Sequence, residues 1–388
     1  MSLRKKIFHE IGEKGPIPFS RYMELCLYDS ELGYYSRSAG QFGKAGDFYT
    51  SSDVHAVFGR LLARQFQEMW QILGSPNKIK IIELGPGRGL FARDVLDWCE
   101  KKFPAFFAGL RYSLVECSPV LQQRLRNTLQ PAFSSGKASL TNFPDEANTS
   151  SQPDTPVIVF ANEFFDALPV EVLGSKGELR IGEENGRFVE TWAAASDAEL
   201  CFLDRYSVHP EAGERVEAAL IAQTYMAQAA ASIRQGFLVA IDYGYTRDEL
   251  LAGRHRGTVM AYRQHSASSN AYEAPGEQDI TAHVNFTALA AAAEQNGMRV
   301  QRLLTQSQFL LGIGEQNQFA DAFEECRMPQ ERAKVALQLK HLVTPAGLGE
   351  TFHVLVASKG VSAERVSSLR GLDFGNRRTE PRDIGKVR

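Results

Sequence analysis

Cysteines are few in this chain of 388 residues, and none of them stands in a pairing motif. The five, an odd number, are scattered without C-x-x-C spacing: Cys26, Cys99, Cys117, Cys201 and Cys326. Disulfide frameworks use an even number of cysteines, and zinc sites use closely spaced pairs. The pattern therefore argues against both and favours a reducing compartment.

An excess of charge and a long apolar run are also missing. The net charge is −3, from 43 basic and 46 acidic residues, which disfavours DNA or RNA as a partner. No apolar run approaches the roughly 20 residues that cross a bilayer. The first residues lack the apolar core of a signal peptide, and Glu10 and Glu13 disfavour a transit peptide. We expect a cytoplasmic protein without a membrane span.

The most informative stretch is IKIIELGPGRG, at residues 79–89. An apolar run, three alternating glycines and an amphipathic run (LFARDVLDWCEKKF) follow one another, which predicts a strand, a tight turn and a helix. Gly85, Gly87 and Gly89 have no side chains, so the backbone N–H groups and the helix N-terminus can approach a ligand closely.

The glycine spacing differs from that of the dinucleotide fingerprint, G-x-G-x-x-G. Leu90 stands where the last glycine of that fingerprint would be, and Glu83 precedes the first glycine. A carboxylate facing the ligand would repel a pyrophosphate but suit a cation. S-adenosylmethionine carries a sulfonium and an amino group, so the turn favours this cofactor over NAD. A glycine-rich turn without any ligand is the alternative.

Two further predicted strands end in polar residues. The strand in RYSLVE ends at Glu116, where a Rossmann-like site holds the ribose hydroxyls. The apolar strand VIVF is followed by Asn162, Glu163 and Asp166. Open α/β sheets bind ligands at the carboxyl ends of their strands, so we expect these groups to converge on the glycine turn. Solvated or helix-capping carboxylates are the alternatives.

Six motifs occur in the order expected for a known family: GDFYTSS, ELGPGRG, LVECSP, NEFFDALPV, DYGY and PGEQDITAHVNF. Over residues 5–358 the chain resembles the MidA-like family of class I S-adenosylmethionine-dependent methyltransferases. The mitochondrial members of that family are complex I assembly factors that methylate a protein arginine. The resemblance implies an α/β, Rossmann-like sheet of seven strands, the last antiparallel, with helices on both faces. It also implies that Gly46, Thr50 and Ser51 pack beside the cofactor.

We divide the chain accordingly. The expected parts are an N-terminal helical and loop segment that covers the cofactor site (1–74), a methyltransferase domain (75–358) and a disordered tail (359–388). Within the domain we expect a β insertion at about 170–210, a loop insertion at about 244–285 and a helical insertion at about 307–342. The alternation of strands and helices supports this division.

For the reaction, the resemblance and the acidic loop imply a methyltransferase acting on arginine of a protein, with a complex I (NADH dehydrogenase) subunit as candidate. A guanidinium is planar and cationic, and carboxylates bind it through paired hydrogen bonds. Glu163 is the expected ligand, with Asp166 or Asp242 as the second carboxylate. His265 or His283 could accept the released proton, with structural roles as the alternative.

Other functions stay open at this point. A non-catalytic assembly factor could bind S-adenosylmethionine without transferring its methyl group. A methyltransferase could act on a small molecule or RNA, although the charge balance disfavours RNA. An NAD-dependent oxidoreductase is disfavoured by the glycine spacing.

Overall fold

The structure, a computed structural model, describes residues 1–36, 56–143, 155–251, 255–263 and 266–373. In chain order its strands are β1 (Ile17–Pro18), β2 (Ile79–Leu84), β3 (Leu110–Val115), β4 (Ala138–Thr141), β5 (Val157–Asn162), β6 (Glu171–Gly174), β7 (Gly177–Glu184), β8 (Arg187–Ala193), β9 (Arg215–Ala218), β10 (Gly236–Tyr245), β11 (Met260–Arg263), β12 (Ser266–Ser268), β13 (Asp279–Thr281), β14 (Val284–Asn285), β15 (Arg299–Val300), β16 (Leu304–Thr305) and β17 (Phe352–Lys359).

The helices are α1 (Leu3–Lys14), α2 (Phe19–Tyr28), α3 (Ala56–Ile72), α4 (Leu90–Lys102), α5 (Pro104–Gly109), α6 (Pro119–Thr128), α7 (Gln130–Ser134), α8 (Asp197–Tyr206), α9 (Leu220–Ser232), α10 (Arg247–Leu251), α11 (Phe286–Gln295), α12 (Gln306–Glu315), α13 (Ala320–Phe323), α14 (Pro329–Val343), α15 (Ala363–Ser367) and α16 (Arg370–Asp373). A 3₁₀ turn covers Tyr34–Ser36. No helix in these ranges is both long enough and apolar enough to cross a membrane.

The central sheet has the strand order β15-β17-β10-β5-β2-β3-β4. From β4 to β10 all neighbours are parallel, whereas β17 runs antiparallel to β10. β15 and β16 pair with β17 one after the other and so occupy a single position in the sheet. The sheet therefore has seven positions with the last strand of the chain antiparallel, and the expected fold is confirmed.

Both faces of the sheet are buried, because residues along each central strand alternate between two cores. In β5, Ile158 and Phe160 belong to the core under α3 and α4, where the Phe160 ring stacks 4.5 Å from the ring of Phe91. Val159 and Ala161 belong to the opposite core, together with α9 and α11. A continuous apolar run such as VIVF is what a parallel strand buried on both faces requires.

Two smaller sheets flank the central one. One has the order β1-β7-β6-β9, with β8 paired to β7, and α1 and α2 pack against it. The other has the order β12-β11-β13 and lies within the segment expected to be a loop insertion. Short strands therefore replace much of that loop, because their pairing satisfies backbone groups that a buried loop would leave without partners.

Several strands and helices were not predicted from local sequence patterns. The alanine-rich stretch at residues 211–234 predicts a single helix, but strand β9 forms within it by pairing with β6, and the helix begins only at Leu220. Helix α8 lies in the expected β insertion and begins with a capping box of Ser196 and Glu199. Strand β4, which adds to the edge of the central sheet, lies in a polar segment rich in proline and serine, a composition that does not indicate a strand.

The expectation of a disordered tail from residue 359 is wrong for residues 363–373. These residues form α15 and α16, and Val366 and Leu369 are buried. The backbone N–H of Gly371 donates to Oε1 of Gln65 at 3.0 Å, which fixes the end of this segment on α3. Arg- and Ser-rich composition suggested disorder, but Val366 in α15 and Leu369 between the two helices anchor the segment on a core.

Candidate active site

A cavity of about 630 Å³ opens at the carboxyl ends of β2, β3 and β5. The three strand ends that the sequence predicted to converge do lie together around it. Its lining includes these predicted residues: Glu83, Gly85, Gly87, Glu116, Asn162, Glu163 and Asp166. The parallel order of the three strands places their polar ends at one edge of the sheet.

The glycine turn joins β2 to α4 at the floor of the cavity. Gly87 has a φ of +52°, and a Cβ added there would meet no atom of the described residues within 4 Å, so the position leaves space for a ligand. Gly89, with a φ of +76°, lies outside the lining, and a Cβ there would stand 2.7 Å from Cδ2 of Leu125. Its N–H bonds to the Pro86 carbonyl oxygen. We expected Gly89 to bind the cofactor, but its missing side chain admits α6 instead.

Glu83 is buried at the end of β2 and borders the cavity. The hydroxyl of Tyr112 donates to Oε2 of Glu83 at 2.8 Å. Burial raises the pKa of Glu83 to about 8, because a charged carboxylate is poorly solvated there. A cationic ligand would favour the ionised form of this group.

Glu116 follows β3, and its Oε1 accepts the N–H of Ser118 at 2.8 Å. Burial raises the pKa of Glu116 to about 7. The hydroxyl of Ser118 donates to the carbonyl oxygen of Tyr35 at 2.7 Å, so the end of β3 also holds the N-terminal segment beside the cavity. A carboxylate in this place can accept hydrogen bonds from hydroxyl groups of a ligand.

The acidic loop after β5 is held in place by Asp242. Oδ2 of Asp242 accepts the N–H groups of Phe164, Phe165 and Asp166 at 3.2, 3.0 and 3.3 Å. Asp242 is fully buried and does not border the cavity. The geometry thus contradicts its expected contact with the methyl acceptor: it lies behind the loop and positions it.

Two residues of the cavity lining, Asp166 and Asn162, each carry a buried polar atom without a described hydrogen-bond partner. Oδ2 of Asp166 accepts the Tyr243 hydroxyl at 2.6 Å, while its Oδ1 is buried without a partner among the described residues. Burial raises the pKa of Asp166 to about 6. The Nδ2 of Asn162 donates to Oε1 of Glu163 at 3.1 Å, and Oδ1 of Asn162 is likewise without a described partner. Buried polar atoms that lack a hydrogen-bond partner are consistent with a site in which a bound ligand supplies that partner.

Several expected site residues cannot be placed at the cavity. Gly46, Thr50, Ser51 and His265 lie outside the described residues. His283 is described, but it does not border the cavity; its ring packs edge-on against Tyr243 at 5.3 Å.

Three residues to which the sequence assigned no individual role also border the cavity: Tyr28, Tyr35 and Asp279. The hydroxyl of Tyr28 donates to the Ala167 carbonyl oxygen at 2.9 Å, and that of Tyr35 donates to Oδ1 of Asp279 at 3.0 Å. The aromatic segment from residue 28 and the acid in PGEQD were visible signals. The directions in which these side chains point could not be read from the sequence, because they depend on contacts between distant parts of the chain.

Three carboxylates outside the cavity also come together. Glu171, Glu178 and Glu199 have oxygens within 4.8 Å of one another. Ser20 donates to Glu171, and Arg180 donates to Oε2 of Glu178 at 2.9 Å. These polar partners explain the cluster as a buried network between α2, α8 and the flanking sheet.

A family model described as "Putative S-adenosyl-L-methionine-dependent methyltransferase" matches residues 61–304, more than half of the chain. The chain belongs to the MidA-like family of S-adenosylmethionine-dependent methyltransferases. It is therefore an enzyme that uses S-adenosylmethionine as its cofactor. The expectations for family, enzyme class and cofactor are confirmed.

Relatives and solved structures agree with this assignment. The protein arginine methyltransferase NDUFAF7 homolog, mitochondrial, of Drosophila melanogaster is 29% identical over 96% of this chain and 88% of its own. The human protein arginine methyltransferase NDUFAF7, mitochondrial, is 24% identical over 90% and 82%. A crystal structure from Burkholderia thailandensis bound to S-adenosyl-homocysteine has a TM-score of 0.80 and 26% identity, covering 95% of this chain and 94% of that one.

These relatives correct one expectation. The NDUFAF7 proteins are named as mitochondrial, which contradicts the predicted cytoplasmic location. The prediction rested on unpaired cysteines and on the lack of a recognisable leader. Cysteine spacing reports on redox conditions and does not distinguish one reducing compartment from another.

Proposed function

We propose that this enzyme methylates an arginine side chain of a protein, with a subunit of complex I as the first candidate substrate. The curated relatives that are 24–29% identical are named protein arginine methyltransferases. The observation that carries the proposal is the acidic lining of the cavity. Among the residues that the structure describes, one basic residue, Arg88, borders the cavity, against six acidic residues: Glu24, Glu83, Glu116, Glu163, Asp166 and Asp279. Burial raises the pKa of several of these carboxyl groups, and a cationic ligand favours their ionised form.

The cofactor side of the cavity lies at the glycine turn. When bound, S-adenosylmethionine supplies an electrophilic methyl group on a positively charged sulfur. Gly87 gives the room for the methionine part, Glu83 offers a carboxylate to its cationic groups, and Glu116 accepts hydrogen bonds from the ribose hydroxyls. Asn162, with its orphaned Oδ1, completes this side.

The acceptor side is formed by the acidic loop. Glu163 and Asp166 bind the N–H groups of the guanidinium and orient one nitrogen toward the methyl group, since positioning supplies much of the rate in such a transfer. The nitrogen that gains a methyl group must lose a proton. Oδ1 of Asp166 can accept it, because the raised pKa of Asp166, about 6, makes it a stronger base than an ordinary aspartate.

The test combines purified protein with methyl-labelled S-adenosylmethionine and an extract of cells that lack this gene. We expect label in a protein, and methylarginine after hydrolysis of that protein. Mass spectrometry of cells with and without the gene, with complex I subunits examined first, then identifies the site.

A variant pair sharpens this experiment. Glu163→Gln should bind S-adenosylmethionine normally and transfer no label to arginine. The matched control is Glu277→Gln, an exposed glutamate paired with Arg263 outside the cavity, which should keep full activity. Label resistant to protease would instead indicate a small molecule or RNA as the acceptor. Cofactor binding without any labelled product would indicate a non-catalytic role; either result would overturn the proposal.

A further inference from the structure

The insertion at 244–285 reaches the cavity through one strand. Strand β13 begins at Asp279, which borders the cavity, and it pairs with β11. At its far end the N–H of Ala282 donates to the backbone carbonyl oxygen of Asp166 at 2.9 Å. The insertion is therefore tied directly to the acidic loop, and Asp279 belongs to the wall that faces the acceptor side.

The carboxylate of Asp279 is held in a fixed position. Its Oδ1 accepts the hydroxyl of Tyr35 at 3.0 Å, and Asp279 is only 6% exposed. The ring of Tyr35 lies 5.5 Å from the ring of Tyr28, and both tyrosines border the cavity. An acid anchored in this way loses little freedom when it binds a ligand.

The carboxylates of Asp166 and Asp279 both influence the side chains of Tyr28 and Tyr35. Burial raises the pKa of Tyr28 and of Tyr35, and the charges of both Asp279 and Asp166 raise it further. The contacts agree: the Tyr28 hydroxyl donates to the carbonyl oxygen of Ala167, the residue after Asp166, and the Tyr35 hydroxyl donates to Asp279. Asp166 is 6% exposed, and its Oδ1 is the buried oxygen without a partner among the described residues. A buried oxygen without a described partner is consistent with a region that a further hydrogen-bond donor completes.

Aromatic rings and carboxylates together suit a guanidinium better than an ammonium group. The guanidinium is planar, stacks on aromatic faces and presents several N–H donors in one plane, so it can bond to two carboxylates at once. A lysine ammonium is compact and strongly hydrated, and it cannot stack in this way.

We propose that Asp279, held by Tyr35, is a specificity-determining residue that binds the guanidinium of the acceptor together with Asp166. The proposal rests on the proposed arginine methylation and adds a residue from the insertion to its substrate site. The central sheet then holds the cofactor, whereas the insertion selects the acceptor.

Binding of simple probes tests this assignment without a known protein substrate. Acetyl-arginine amide and acetyl-lysine amide are titrated into the full chain, saturated with S-adenosylhomocysteine, and followed by NMR. The wild type should bind the arginine probe at least about tenfold more tightly than the lysine probe. Asp279→Asn should weaken arginine binding by about tenfold or more, and Tyr35→Phe by about threefold.

Two controls separate this role from misfolding. Glu277→Gln changes an exposed acid two residues away and should leave arginine binding unchanged. Affinity for S-adenosylhomocysteine should stay within about twofold in every variant, because the cofactor side is not altered. Tyr35→Phe keeps the ring and removes only the hydroxyl, so it tests the anchor of Asp279 separately.

The results that would overturn this inference differ from those that would overturn the proposed function. If the wild type binds the arginine probe and Asp279→Asn binds it equally well, this inference is overturned while the proposed function stands. If Asp279→Asn loses S-adenosylhomocysteine affinity, Asp279 belongs to the cofactor side and the inference is again overturned. A wild type that neither binds the arginine probe nor forms methylarginine would overturn the proposed function itself, and this inference with it.

Discussion

The hydroxyl of Tyr243 donates a 2.6 Å hydrogen bond to Oδ2 of Asp166, on the side of the carboxylate away from its orphaned Oδ1. Tyr243 follows Asp242 at the end of β10, and Asp242 holds the backbone of the loop that carries Asp166. Two consecutive residues of one strand thus position both the backbone and the side chain of the acidic loop.

The first prediction concerns the pH dependence of activity. Burial raises the pKa of Asp166 to about 6, and the Tyr243 hydroxyl partly offsets this by favouring the ionised form. Activity should therefore fall as the pH drops below about 6, because the protonated carboxyl can no longer accept a proton. Tyr243→Phe removes the donor and should move this acidic limb upward by about one pH unit.

The measurement is labelled methyl transfer to protein in an extract from cells lacking the gene, from about pH 5 to pH 9. Tyr206→Phe is the control, since the Tyr206 hydroxyl accepts a bond from Gln295 on the surface and should leave the profile unchanged. An acidic limb in Tyr243→Phe that coincides with the wild type would rule out Asp166 as the titrating base.

The second prediction concerns the glycine turn. Gly87→Val should abolish S-adenosylmethionine binding, because its side chain would project into open space in the cavity. Gly186→Val is a matched control: Gly186 also has a positive φ and, in the part of the chain that the structure describes, no atom within 4 Å of an added Cβ, but it lies in the hairpin between β7 and β8. Each substitution places a side chain on a backbone with positive φ, and the resulting strain is similar in both, about 1–2 kcal/mol. Calorimetric titration should show normal binding in the control alone, and intact binding in Gly87→Val would refute the cofactor site.

The third prediction concerns Glu83. Because burial raises its pKa to about 8, Glu83 is mainly protonated at neutral pH in the free protein. A cationic ligand favours the carboxylate, so binding must release a proton, and affinity should rise with pH until about pH 8. Glu83→Gln cannot titrate.

Titrations with S-adenosylmethionine at several pH values should show the wild type gaining up to about tenfold per pH unit relative to Glu83→Gln. Ionisation of the ligand's own amino group affects both proteins equally and cancels in the comparison. Parallel pH profiles for the two proteins would show that Glu83 does not interact with the charged cofactor.

The fourth prediction concerns stability. Asp242→Ala removes the acceptor of three loop N–H groups and of the Tyr243 N–H. Buried donors left without acceptors should lower the free energy of unfolding by about 3 kcal/mol or more. Asp204→Ala, at an exposed aspartate paired with His209, should change it by less than about 0.5 kcal/mol. Denaturant unfolding measures both, and equal midpoints would contradict the positioning role of Asp242.

The fold could be predicted well where a pattern is local. The apolar run of β5, the glycine turn and the helix after it each depend on neighbouring residues, and they appear at the predicted positions. Strand β9 and the tail helices were missed because they form through pairing with β6 and packing on α3, at positions remote in sequence. Long-range partners of this kind decide short elements against their local preference.

In the candidate site, too, some features follow from local sequence patterns and others from contacts between distant segments. The sequence by itself determined the family and the three polar strand ends around the cavity, since parallel strands necessarily place their carboxyl ends at one edge. Only the tertiary structure decided which side chains face the cavity. Asp242 turns behind the acidic loop to bind its backbone, whereas Asp279 reaches the cavity wall and meets Tyr35 across 244 residues of chain. Side-chain direction at such positions follows from the packing of separate segments, which no local pattern contains.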